Sequence, residues 1–262
     1  MNSSVQKFFG ILLCVLLYSA TCQAADEEFP YRSVYLKVPV IELADLYTKL
    51  ANAEIIDVRS HYEYETLHIK EAQNIPLHDA AFSDKISNLR ASSAKMIVFY
   101  CNGHTCKKSY DAALKAIESG ISDVYAFDAG IFSWTKAHPD QATLLGVSPV
   151  DTKRLISKEM FEAHQLAPND FASKANDGGL VIDIRDPLEK EALSLFPMVE
   201  YSVQLDNTKL KTYVDRAKRE NKTLLVYDNV GKQVRWLQYF LEEQGLKDYY
   251  FLQGGAKAFF GY

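Results

Sequence analysis

The residues of this chain best equipped for chemistry lie in one stretch, Tyr100-Cys101-Asn102-Gly103-His104-Thr105-Cys106-Lys107-Lys108-Ser109. Two thiols, an imidazole and two ammonium groups fall within nine residues. The apolar run Met96-Ile97-Val98-Phe99-Tyr100 before it reads as a buried strand. Tyr110 to Ile117 after it reads as a helix, with Gly120 just past its end. Cys101 is therefore expected at a strand end, on a short loop that feeds a helix N-terminus. Loop amides and the positive end of a helix dipole favour a thiolate at such a place. The chemistry this predicts is nucleophilic attack by sulfur on an anionic substrate. Lys107 and Lys108 are expected to draw the anion in. Asn102, Gly103, His104, Thr105 and Cys106 complete the expected substrate cradle, with Gly103 letting the backbone curl.

The elements that must position this loop belong to a chain of 262 residues, long enough for one large or two ordinary domains. Apolar residues make up 48% and charged residues 24%, as in globular proteins. A net charge of −5 gives no basic footprint for nucleic acid. Residues 1–24 read as a secretory signal peptide. Lys7 gives the basic start, Phe8 to Tyr18 the apolar run, and Cys22-Gln23-Ala24 the small residues before a cut. A lipoprotein cut at Cys22 is the rival reading. Cleavage before Ala25 would place the mature chain in the periplasm, with no integral membrane segment. It would also remove Cys14 and Cys22, leaving Cys101 and Cys106 as the only thiols. A disulfide scaffold is then excluded, and the fold must rest on its cores.

Strands and helices alternate along the chain, which predicts α/β domains with parallel sheets flanked by helices. The order occurs twice. Leu180-Val181-Ile182-Asp183-Ile184-Arg185 matches Glu54-Ile55-Ile56-Asp57-Val58-Arg59, with Asp57 and Asp183 offset by 126 residues. Leu224 to Asp228 matches the strand before the loop, with Cys101 and Asp228 offset by 127. Gly255 matches Gly130 with an offset of 125. This is a tandem duplication. Its expected domains are 34–141 and 151–262, joined near Ala142 to Asp151, where Gly146 and Pro149 break the pattern. Residues 25–33 read as a short polar leader. The falling offset makes the first loop about two residues longer than its counterpart. Asp228 stands where the first repeat has Cys101, so the second domain is expected to be catalytically silent.

Taken together, Asp57-Val58-Arg59, the His68-Ile69 segment before Asn74-Ile75-Pro76, the strand-Cys101-loop-helix unit and Gly130 to Trp134 resemble the rhodanese (thiosulfate sulfurtransferase) family in its two-domain form. The resemblance runs from about Val38 to Phe259. It implies that Cys101 carries a persulfide, taking sulfane sulfur from thiosulfate or a related anion. A thiol, cyanide or protein thiol would accept it, with neither cofactor nor metal. Two features depart from the family. The active cysteine falls in the first domain instead of the second. Ser109 lies eight residues after Cys101 instead of six, with Cys106 in the lengthened loop. Relatives with longer loops include phosphatases, but these need an arginine where this chain has Lys107, a point charge without a fork.

Asp57 and Arg59 are expected to pair behind the loop as structural support, together with Ser109 at the helix start. Asp183 and Arg185 repeat that pair in the domain without a thiol, which favours support over direct chemistry. Three roles stay open for Cys106: attack on a Cys101 persulfide to leave a disulfide, protection of Cys101 from overoxidation, or packing. Two classes of function follow. One is a periplasmic sulfurtransferase. The other is a non-catalytic thiol/disulfide relay, or sulfur-binding module, that uses Cys101 and Cys106 with a protein partner.

Overall fold

The computed structural model describes residues 29–186 and 194–259. The expected signal peptide, residues 1–24, lies outside the described residues. The chain divides into two compact units, one within Met1–Tyr64 and His68–Ala142, the other within Glu65–Leu67 and Thr143–Tyr262.

In the first unit the apolar runs become strands β1 (Ala53–Asp57), β2 (Leu67–Ile69), β3 (Gln73–Asn74), β4 (Met96–Tyr100) and β5 (Val124–Phe127). Four of them form a parallel sheet in the order β3-β1-β4-β5. Ile97, Val98, Phe99 and Tyr100 of β4 are all fully buried, as a central strand covered on both faces requires. The register pairs Asp57 with Tyr100 and Tyr100 with Phe127, so three strands end level at the edge that carries the cysteine loop. The helices are α1 (Leu43–Lys49), α2 (His61–Thr66), α3 (Phe82–Ser92), α4 (Lys108–Glu118) and α5 (Gly130–Ala137). Tyr110, Ala112, Ala113 and Ala116 of α4 enter the same core as Phe99 and Cys101. Cys101 is thus a core residue as well as a loop residue.

Helix α1 begins only at Leu43. Pro39 and Ile41 instead exchange backbone hydrogen bonds with Ala126 at the sheet edge. Residues 61–66 form a short helix. The supposed leader is not free of the fold either. From Phe29 onward it packs on the first unit: Tyr31 and Tyr35 lie against the Tyr110 ring, and the Arg32 guanidinium pairs with buried Asp128 at 2.8 Å.

The second unit repeats the plan with α6 (Lys158–Glu162), β7 (Gln165–Leu166), α7 (Pro168–Asn176), β8 (Leu180–Asp183), β9 (Glu200–Ser202), α8 (Asn207–Glu220), β10 (Leu224–Tyr227), α9 (Val234–Glu243), β11 (Tyr249–Leu252) and α10 (Gly255–Phe259). A further short strand, β6 (Ala142–Leu144), lies in the expected link. The parallel sheet runs β7-β11-β10-β8-β9. β10 is central and fully buried, like β4.

Candidate active site

The loop after β4 is shaped from below by charge and from the side by glycine. Asp57 accepts from the Arg59 backbone at 3.0 Å, from Nε at 2.9 Å and from Nη2 at 2.5 Å, with both side chains fully buried. The remaining arm of Arg59 donates to Asn102 Oδ1 at 3.3 Å. Asn102 Nδ2 donates to Glu63 Oε1 at 3.2 Å, and Ser60 donates its N–H and its hydroxyl to Glu63 Oε2. Burial alone would raise the Glu63 carboxyl, but the charges of Arg59 and Lys108 with the Ser60 bonds hold it below its ordinary range. The pair expected as support therefore reaches the loop through Asn102. Glu63 is an additional member that the sequence reading missed.

Gly103 has φ +143, the backbone freedom expected of it. The tighter constraint is at Gly130, where φ is +67 and a Cβ would lie 2.4 Å from the Gly103 nitrogen. The next residue, Ile131, donates its N–H to the Cys101 carbonyl at 3.0 Å. Asp128, just ahead of this turn, accepts from Arg32 and from Tyr110 Oη. Neither Gly130 nor Asp128 was identified as part of the site from sequence. Their place in a strand-to-helix turn that recurs at Gly255 was the available signal.

Cys106 N–H donates to the Gly103 carbonyl at 2.7 Å, so the loop folds back over Cys101. Cys101 Sγ then lies 3.2 Å from the Cys106 carbonyl oxygen and 3.7 Å from Ser109 Oγ. Both cysteines are free thiols. The expectation of a lowered Cys101 pKa is overturned. Burial, with Cys106 beside it, pushes the Cys101 thiol well up, against the N–H and hydroxyl of Ser109. Cys106, half-buried, is lowered to about 6. The Cys101 thiol donates to it, the backbone amides of Asn102 and Lys108 point at its sulfur, and the Lys108 charge adds to these. The Cys101 thiol thus lies against Cys106, donating to its carbonyl, and the two sulfurs shift in opposite directions.

The other expected cradle residues spread over the rim. Thr105 is exposed. The His104 ring stacks on Phe29 at 4.3 Å between centroids, with Nε2 3.4 Å from Ser133 Oγ. The Lys107 ammonium is 3.8 Å from Asp111, an exposed i,i+4 pair on the helix start. Lys108 is the lysine whose charge reaches the Cys106 sulfur. Among the described residues no group of three or more His, Cys, Asp or Glu side chains is placed to hold a metal ion.

The second unit has the same loop with a different occupant. Asp183 and Arg185 repeat the buried pair, at 2.9–3.0 Å. A Cβ on Gly255 would meet Val230 N and Asn229 C, as one on Gly130 meets Gly103 N and Asn102 C. Ala256 N–H donates to the Asp228 carbonyl at 2.9 Å, as Ile131 does to that of Cys101. Asp228 therefore takes the place in its loop that Cys101 takes in the first. Its carboxylate accepts from four backbone amides, those of Val230, Gly231, Gln233 and Val234. The loop lengths also match expectation. From Cys101 to Ala116, whose carbonyl caps the helix end, is fifteen residues; from Asp228 to its equivalent Leu241 is thirteen.

The model of the rhodanese-like domain matches this chain twice, at residues 42–137 and 167–261. The chain belongs to the rhodanese-like domain family. Among curated proteins it is 36% identical over 83 residues to an HTH-type transcriptional regulator of Mycobacterium tuberculosis, covering 32% of this chain and 34% of that protein. It is 30% identical over 148 residues to a tRNA uridine(34) hydroxylase of Escherichia coli, covering 52% of this chain and 42% of the other. The chain thus spans less than half the length of these relatives. Among solved structures, a thiosulfate sulfurtransferase from Pseudomonas aeruginosa aligns over 86% of this chain and 43% of its own, at 20% identity and a TM-score of 0.38. Both repeats of this rhodanese-like chain keep the Asp-x-Arg pair and the glycine-walled loop. They differ in what fills it.

Proposed function

We propose that this protein is a sulfurtransferase in which Cys101 carries sulfane sulfur as a persulfide. Thiosulfate or a related sulfur anion is the donor, and a thiophilic acceptor removes the sulfur. The observation that carries this reading is the occupied loop of the second unit. Asp228 places an anionic oxygen two bonds beyond its Cβ, in a ring of four amides. The outer sulfur of a cysteine persulfide also lies two bonds beyond Cβ and is also anionic. The equivalent loop around Cys101 is therefore built to hold a persulfide by backbone amides, without a metal. The same comparison supports a silent second domain, since Asp228 fills its own cradle and supplies no nucleophile.

Lys108 beside the Cys106 sulfur favours an anionic donor. The role of Asn102 is to lock the loop onto Arg59, and His104 and Thr105 form its rim. The transcriptional and tRNA roles named for the relatives belong to proteins of which this chain covers 34% and 42%. The sequence of residues 1–24 supports export to the periplasm, which N-terminal sequencing of exported protein tests by finding Ala25 first.

The test of function is thiocyanate formation from thiosulfate and cyanide. Wild type should turn over and Cys101→Ser should not, with unchanged circular dichroism. Equal rates in the two would end the proposal.

A further inference from the structure

Cys106 lies beside a place that the repeat marks out for an anion. On the helix side the two units align with an offset of 125, fixed by the equivalent helix ends at Ala116 and Leu241. Lys108 then matches Gln233, and Ser109 matches Val234. In the second unit both of these amides donate to the Asp228 carboxylate. In the first, Cys101 Sγ lies 3.2 Å from the Cys106 carbonyl and 3.7 Å from Ser109 Oγ, so Cys106 packs over the Cys101 sulfur on the helix side. Cys106 thus lies beside the place where the outer sulfur of a persulfide would be held. The two residues by which this loop exceeds its counterpart are what bring it there.

We propose that Cys106 is the proton acceptor and then the resolving nucleophile of this site, making the protein a dithiol-dependent reductase of sulfane sulfur that releases sulfide. This rests on the Cys101 persulfide reading. In the first step the Cys101 thiol, held against Cys106, passes its proton to the Cys106 sulfur and attacks the outer sulfur of thiosulfate. The S–S bond of thiosulfate breaks and sulfite leaves with the electron pair. Cys101 now holds the persulfide anion and Cys106 is a neutral thiol. In the second step Cys106 sulfur attacks Cys101 Sγ and gives its proton to the outer sulfur. A Cys101–Cys106 disulfide forms, the persulfide bond breaks, and hydrosulfide leaves. The two cysteines have lost two electrons, and the sulfane sulfur has gained them. An external dithiol must then reduce the disulfide by exchange. Access fits the last step, since half-buried Cys106 is the disulfide sulfur that an external dithiol reaches, while Cys101 is fully buried.

The experiment is a single turnover of full-length mature protein, reduced, freed of reductant and given thiosulfate without air. Wild type should release one sulfide per chain, lose two hydrogens by mass, and protect both cysteines from alkylation. Cys106→Ser, in which solvent takes the Cys101 proton more slowly, should release no sulfide and keep one extra sulfur atom, which cyanide removes. Cys106→Ala, checked for fold by circular dichroism, should behave as Cys106→Ser does. If wild type also keeps the extra sulfur and Cys106 still alkylates, the resolving role is wrong while the persulfide reading stands. If no form gains sulfur or releases sulfide, the persulfide reading itself fails, and this proposal with it.

Discussion

Cys106 should titrate far below an ordinary thiol, and the cause should be Cys101. An unperturbed cysteine has a pKa of about 8.5, whereas Cys106 is lowered to about 6, first by the Cys101 thiol that donates to it. At pH 7 its thiolate share should be about 90%, against roughly 3% for an ordinary cysteine. The rate of alkylation will not rise in the same proportion. Nucleophilicity falls with pKa at a Brønsted slope of about 0.4–0.5, which removes roughly tenfold of the gain. The midpoint is therefore the readout. Site-resolved iodoacetamide labelling across pH should put it near 6 in wild type. Cys101→Ala removes the first-named cause and should move the midpoint up by about one unit or more. Cys101→Ser keeps an O–H donor and should move it less. A wild-type midpoint near that of a free thiol, or one that ignores Cys101→Ala, would refute the assigned pair.

Other outcomes follow from the same geometry. Because Cys106 is lowered in the folded state, its contribution to stability is present above about pH 8.5 and is lost as pH falls through about 6. Cys101 is raised and opposes it above that window. Urea unfolding should show stability rising from pH 6 to 8.5, and this rise should vanish in Cys106→Ser. Gly130→Ala pushes a Cβ against Gly103 N and should abolish thiocyanate formation while far-UV circular dichroism stays native. Arg59→Ala leaves the Asp57 carboxylate buried without its partner and should cost about 3–5 kcal/mol in urea unfolding. Asp228→Cys should not create a second centre of comparable rate, since its loop is two residues shorter and lacks a second thiol; thiocyanate assay in a Cys101→Ser background measures this directly.

Much of the scaffold was legible because it rests on local signals. Met96 to Tyr100 had to be a buried strand, and the near-constant offset between Asp57 and Asp183, Cys101 and Asp228, and Gly130 and Gly255 revealed the repeat. The Asp57–Arg59 pair behind the loop was legible for the same reason, since it occurs twice. What the sequence hid depends on tertiary placement. The pKa order of the two cysteines follows from Cys101 being buried and Cys106 less so, a difference that adjacency in one loop does not reveal. Glu63 joins the site from a helix that had no clear pattern. Residues 29–33 looked like part of a leader, and Tyr35 beyond them was not read as packing on the fold, because their partners, Tyr110, Asp111 and Asp128, lie 75 or more residues away. That Asp228 ends the second centre could be read from its alignment with Cys101. Its closure of the cradle by four amides could not.

The most direct measurement uses the Cys106→Ser mature protein, in which Cys101 is the only thiol. After thiosulfate treatment and gel filtration, peptide mass mapping should place one additional sulfur atom on the Cys101 peptide, and cyanide should remove it with one thiocyanate formed per chain. A Cys101 peptide that stays unmodified while the protein is folded and its thiol alkylatable would contradict the account.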